Sequence, residues 1–248
     1  MSLDGTAAPL TRAAGDRDLP VVDAVVIGAM EEEVRPFLDA ATQAGADVGA
    51  GHARTRLVAL GDTRVLLVRS GIGLVNAASA AVHALTTVRP RAVVSTGSAG
   101  GLTAVVRVGD VIVGDDYTYG FADATAFGYV RGQVPGMPVS YPADAGLLGL
   151  ARAAVLDKGS LRVGQMVSGD SFVTAVNVTE VREAFPAALS TDMESTAIAQ
   201  VCHSFGVPFL SVRGVSDLCG PAAGEDFHLG VDEAASRAAA VVRAVVGA

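Results

Sequence analysis

Tryptophan is absent from this sequence, aromatic residues make up only 5% of it, and cysteine occurs twice, at Cys202 and Cys219. The shortage of rings argues against an aromatic-lined binding surface and suits helices packed tightly over a Val-rich sheet. Two cysteines cannot build a disulfide framework, so a reducing, cytoplasmic compartment is expected, with both thiols acting as small packing residues. Basic residues are scattered singly against a formal charge of −8, which repels nucleic-acid phosphates. Apolar runs such as residues 92–94 are broken by Gly, Ser or charge long before the roughly 20 residues a membrane helix needs. Neither nucleic acid nor a membrane is an expected partner.

Several catalytic signatures are missing too. Gly71-Ile72-Gly73 continues as Leu74-Val75-Asn76, without the third glycine of a dinucleotide fingerprint, and there is no GxxxxGK[ST], HExxH or GxSxG string. The four histidines, His52, His83, His203 and His228, share no metal-ligand spacing. No metal and no cofactor is expected.

What is present is enough apolar sequence for a large core. With 248 residues, 50% hydrophobic and 18% charged, the chain fits one α/β domain. Residues 1–20 mix Asp4, Arg12, Asp16, Arg17 and Asp18 with Ala, Gly and Pro and read as a flexible N-terminal extension, leaving residues 21–248 as the domain. From Val21 onward short β-branched runs alternate with longer Ala-rich segments, the pattern of a mixed, mostly parallel twisted sheet flanked by helices. Strands are predicted at 21–27, 52–60, 63–69, 92–95, 110–113, 161–168, 189–192 and 209–215. Helices are predicted at 31–44, 74–88, 143–158, 194–205 and 232–246. Residues 115–142 follow no period and are too long for an idle connection, so a functional or interface loop is expected there.

Carboxylates fall at the carboxyl ends of these strands, where open α/β sheets place their ligands. Glu33 follows the first strand, Asp192 and Glu194 flank Met193 after a later one, and Asp217 follows residues 209–215. Taken singly, each could be a helix-capping or solvated acid. Together they suit glycosidic cleavage through an oxocarbenium-like transition state, which needs one acid for the leaving group and one base for water. Spacing alone does not separate a glycosidase from a nucleosidase.

The local strings are more specific. Gly28-Ala29-Met30-Glu31-Glu32-Glu33-Val34, Ser70-Gly71-Ile72-Gly73, Thr96-Gly97-Ser98-Ala99-Gly100-Gly101, Val108-Gly109-Asp110, Thr125-Ala126-Phe127-Gly128-Tyr129, Ser168-Gly169-Asp170-Ser171-Phe172, Met193-Glu194-Ser195-Thr196-Ala197, Val201-Cys202-His203 and Val212-Arg213-Gly214-Val215-Ser216-Asp217 occur in this order. The set resembles the bacterial 5′-methylthioadenosine/S-adenosylhomocysteine nucleosidases of the nucleoside phosphorylase superfamily over residues 21–246.

That resemblance implies a nucleoside phosphorylase-like fold and hydrolysis of an adenosine-derived nucleoside. Glu33 would activate water, and Asp217, oriented by Ser216, would protonate purine nitrogen 7. Glu194 would hold the ribose hydroxyls, with Met193 and Met30 packed near the sugar. Phe172 would stack on adenine, and the backbone of Val173 would read the adenine edge. Ser70, Gly100 and Arg213 would complete the lining, and Phe227 would close over the 5′ substituent. A homodimer is implied as well, with Phe127 and Pro135 of the long loop reaching the neighbour's site.

The sequence departs from the family pattern at Asp192, where Glu is usual, at Ser195 and Val173, and across residues 220–226, which bear on the 5′ pocket. Three other readings stand beside this one: a futalosine or aminofutalosine hydrolase, a purine nucleoside phosphorylase, and a non-catalytic nucleoside-binding protein of the same fold. A phosphorylase needs cations for phosphate, and Glu31-Glu32-Glu33 and Ser95-Thr96-Gly97 at the comparable positions disfavour it.

Overall fold

A computed structural model describes residues 19–248; the expectation for the N-terminal extension lies, apart from Leu19 and Pro20, outside the described residues. The first strand, β1 (Val21–Gly28), is central. It pairs in parallel with β5 (Thr63–Arg69) on one side and β6 (Arg89–Gly101) on the other. Its near-continuous apolar run follows from being covered on both faces. Val25 and Ile27 enter one apolar layer with the Ala77, Ala80, Ala81 and Ala84 stripe of α2 (Leu74–Thr87) and with Ile198 and Cys202 of α5 (Ser195–Phe205). Ala24 and Val26 enter the opposite layer, with Phe37 of α1 (Glu31–Asp39) and Ala238, Val241, Val242 and Val245 of α6 (Ala223–Val246). The i, i+3, i+4, i+7 spacing of alanines on α2 presents one smooth apolar stripe to the sheet.

The sheet is mixed. Beyond β5 it continues antiparallel through β4 (Ala53–Leu60) to the short strands β2 (Gln43–Ala44) and β3 (Val48–Ala50). Beyond β6 it runs through β11 (Phe209–Asp217), β7 (Val111–Tyr119), β9 (Leu161–Ser168) and β10 (Ala188–Asp192). There it curls back, because Ser190 and Thr191 of β10 pair with Gly101 and Gly100 of β6. One half of the sheet is thus closed on itself, and the carboxyl ends of β1, β6, β10 and β11 meet around one opening.

Several elements differ from the sequence expectation. Helix α1 stops at Asp39 rather than near residue 44, because Gln43 and Ala44 pair with Ala59 and Val58 of β4. Strand β6 extends through Gly101 rather than stopping at Ser95, since the small residues beyond it pair with both β10 and β11. Residues 115–119 continue β7, and the short β8 (Tyr141–Pro142) pairs back onto it, shortening the irregular loop from both ends. Helix α3 (Ala145–Arg152) ends earlier than residue 158, and α4 (Val178–Ala184) lies where no helix was expected.

Helix α6 begins at Ala223, nine residues before the predicted start, so residues 223–226 of the departing segment 220–226 form its first turn. Helix propensity would disfavour Gly224 and Gly230 there. Tertiary packing prevails: a Cβ at Gly230 would fall 3.2 Å from the Ser216 carbonyl, and one at Gly214 of β11 would overlap the Ala234 carbonyl, so the helix lies close on the strand. Among the described residues, no helix is long and apolar enough to cross a membrane.

Candidate active site

The opening holds a cavity of about 480 Å³. Of the residues singled out in the sequence, Met30, Glu33, Gly100, Phe172, Val173, Met193, Glu194, Ser216, Asp217 and Phe227 line it. Glu33, in the first turn of α1, is 2% exposed. The backbone N–H groups of Ala29 and Met30 donate to its Oε2 at 2.7 and 3.2 Å, and the Ser98 N–H and Oγ donate to its Oε1 at 2.9 and 3.1 Å. The loop from β1 and the carboxyl end of β6 therefore fix one carboxylate from two sides. Gly97 makes room for it: its φ is +150°, and a Cβ there would fall 2.5 Å from Glu33 Oε1 and 2.7 Å from Arg213 Nη1.

Asp217 ends β11 and is 1% exposed. Ser216 Oγ donates to its Oδ2 at 3.0 Å and the Cys219 N–H to its Oδ1 at 2.9 Å. Burial raises the pKa of this carboxyl above the ordinary range, against the two donors that favour its anion. Cys219 is the one non-glycine residue among those described with a left-handed backbone, φ 56°, and that turn aims its N–H back at Asp217.

Glu194 precedes α5 and receives the Gly73 N–H at 3.1 Å on Oε1 and Arg213 Nη1 at 3.3 Å on Oε2. Burial pushes its pKa up to about 7; the Arg213 guanidinium pulls the other way, and the neighbouring Asp192 and Glu33 push up again. One guanidinium here faces three buried carboxylates, Asp192, Glu194 and Glu33. On the outer side of the cavity, the rings of Phe172 and Phe227 meet edge to face with centroids 5.7 Å apart.

Ser70 and Arg213 were expected in the polar lining, and the structure sets both behind it. Ser70 donates to the Gly71 and Gly28 carbonyls and ties the end of β5 to that of β1. Arg213, 1% exposed, reaches Glu194 and also donates to Ser95, Ser195 and Ser211. Phe127, 83% exposed, and Pro135, also exposed, do not line the cavity of their own chain.

The cavity wall also contains residues the sequence reading assigned no role. Ser98 and Ile72 sit inside strings already singled out, Cys219, expected only to pack, lies two residues past Asp217, and Asp192, one of the strand-end acids and a departure from the family pattern, had no role of its own. Among the described residues, no Lys, Arg or His lines the cavity, and no cluster of His, Cys, Asp and Glu could hold a metal.

A family model described as the phosphorylase superfamily matches residues 23–247. A 5′-methylthioadenosine/S-adenosylhomocysteine nucleosidase of Staphylococcus aureus is 40% identical over 223 residues, covering 89% of this chain and 97% of its own. The crystal structure of a nucleosidase of that name from Neisseria meningitidis, in complex with methylthio-immucillin-A, superposes with a TM-score of 0.87 at 36% identity, covering 92% of this chain and 99% of its own. Another from Colwellia psychrerythraea 34H, in complex with adenine, gives a TM-score of 0.85 at 31% identity over 91% and 95% of the two chains. The chain therefore belongs to the 5′-methylthioadenosine/S-adenosylhomocysteine nucleosidase family, within the phosphorylase superfamily.

Proposed function

We propose that this protein hydrolyses the N-glycosidic bond of 5′-methylthioadenosine and S-adenosylhomocysteine, releasing adenine and the 5′-substituted ribose. The observation that carries the reading is the charge of the cavity. Glu33, Glu194 and Asp217 face it, no cation among the described residues lines it, and Arg213 behind it is already paired with Asp192 and Glu194 at 3.3 Å each. A phosphate nucleophile would enter a low-dielectric site of its own sign, whereas water meets no such barrier.

Glu33 is the base: held by four donors, it takes a proton from the water that attacks the anomeric carbon. Asp217 is the acid. Its raised pKa keeps a proton available for purine nitrogen 7, so that adenine leaves neutral. Glu194 accepts hydrogen bonds from the ribose 2′ and 3′ hydroxyls, Phe172 stacks on the base, and Phe227 covers the 5′ group. The atoms balance: water adds hydroxyl to the sugar and a proton reaches the base.

We place the working enzyme in the cytoplasm as a homodimer. Support for the first is the pair of buried, unbridged cysteines; support for the second is Phe127, an exposed ring on a loop that its own cavity does not use.

A substrate panel of methylthioadenosine, S-adenosylhomocysteine, 5′-deoxyadenosine, aminofutalosine and inosine, assayed for free base, tests the specificity. The 5′-thio nucleosides are expected to be the best substrates. Preference for aminofutalosine would overturn the 5′ assignment while leaving the chemistry intact, and base binding without release at any pH would mark a binding protein.

A further inference from the structure

Asp192 is a buried carboxylate that the hydrolytic steps leave unused. Its Oδ1 accepts hydrogen bonds from Ser168 Oγ at 2.6 Å and from the backbone N–H groups of Glu194 and Ser195 at 3.0 Å each. Its Oδ2 accepts from Ser195 Oγ and lies 3.3 Å from Arg213 Nε. Asp192 therefore reaches Glu194 by two routes, through the main chain of the turn that carries Met193 and Glu194, and through the guanidinium that both carboxylates share.

Capping α5 alone would not require this arrangement. A neutral Asn or Ser caps a helix start about as well as Asp. Adding another buried carboxylate to a guanidinium that already binds Glu194 is costly unless the charge serves the site. We propose that Asp192 is a positioning residue, which holds Arg213 and the Met193-Glu194 turn so that the Glu194 carboxylate faces the ribose. The proposal rests on the reading of Glu194 as the ribose ligand.

A charge effect accompanies the positioning. The groups facing Glu194 are Glu33 from α1, Arg213 from β11, Asp192 from β10 and the Gly73 N–H at the start of α2, where Asp170 accepts the Leu74 N–H; Asp217 lines the same cavity. With Asp192 neutral, Arg213 turns its full field on Glu194. The pH at which that carboxylate ionises then falls.

The experiment measures the pH dependence of the dissociation constant for a 5′-methylthio adenine C-nucleoside, in which a carbon–carbon bond replaces the scissile bond and no turnover interferes. In the parent, binding is expected to tighten as pH rises through about 7. In Asp192→Asn the limb is expected to move down by about one pH unit, with affinity at pH 8 weakened about tenfold. Asp192→Glu, which restores the charge, is expected to return the limb and most of the affinity. A limb unmoved in both variants, with only the melting temperature lowered, reduces Asp192 to a structural cap and overturns the proposal.

Should Asp192→Asn fail to fold, Ser195→Ala removes the hydroxyl linking Asp192 to Arg213 without changing charge. It is expected to weaken binding about threefold with the limb in place, and unchanged affinity counts against the proposal. A parent that binds no nucleoside overturns the assignment of the cavity and this inference with it; a parent that binds normally and variants that match it overturn this inference alone.

Discussion

Helix α1 and strand β11 each bury two unlike things. Beneath α1 and α6, Phe37, Leu210 and Val212 pack into an apolar layer with Ala24, Val26 and Val242. At the rim, on the same two elements, lie Glu33, Arg213 and Asp217, each at most 2% exposed. The apolar layer gains from burial, since each large side chain removed from water contributes roughly 1.5–3 kcal/mol. The rim loses, because buried carboxylates are costly unless paired, and a single guanidinium serves three of them. The molecule stores unfavourable electrostatics where a nucleoside would fill the cavity and use them, and keeps the supporting layer free of charge.

Four perturbations sharpen this contrast. The largest effect is expected from Asp217→Asn, which removes the proton donor and keeps the shape: kcat should fall by roughly 10²–10⁴ while nucleoside affinity changes only a few-fold, as read by steady-state and binding assays. Activity should also decline on the alkaline side as Asp217 loses its proton, and that limb should vanish in the variant. Next comes Phe37→Ala, which should lower unfolding free energy by about 3–5 kcal/mol through lost burial and a cavity, with kcat preserved.

The third goes the other way. Burial raises the Glu194 pKa from 4.5 to about 7 in the folded state, so the folded protein binds more protons between those values and stability falls as pH rises through that window. Glu194→Gln should therefore stabilise the protein at pH 8, by roughly 1–3 kcal/mol, while raising KM; the gain should disappear below about pH 4.5. Stability lost rather than gained at pH 8 would break the contrast. The smallest effect is expected at Arg54→Ala. Its ion pair from β4 to Asp47, just before β3, is solvent-exposed, and the melting temperature should be unchanged.

The supporting layer was easier to read in the sequence than the rim. Alternating Val-rich and Ala-rich segments gave the core strands, because apolar periodicity is a local signal. Boundaries failed where partners far along the chain decide: β2 cut α1 short, pairing to β10 and β11 carried β6 through three glycines, and close packing on β11 allowed α6 to start at Ala223 despite Gly224 and Gly230. In the rim, Glu33, Glu194 and Asp217 were legible as acids at strand ends. Arg213 was expected in the lining and stands behind it, where the missing Cβ of Gly97 leaves room for its guanidinium, a close approach between two strands that the local sequence does not show. Asp192 was legible as a strand-end acid and as a departure from the family pattern, but not its role; its contacts to Ser168 and Arg213 span strands that sequence separation hides.

The most direct measurement is adenine release from 5′-methylthioadenosine by the purified protein in buffer freed of phosphate, followed by the same assay with phosphate added and the sugar product analysed. Full release without phosphate, no stimulation by it, and free 5-methylthioribose as the sugar product are the expected results. Release that requires phosphate and yields a sugar 1-phosphate would contradict the account.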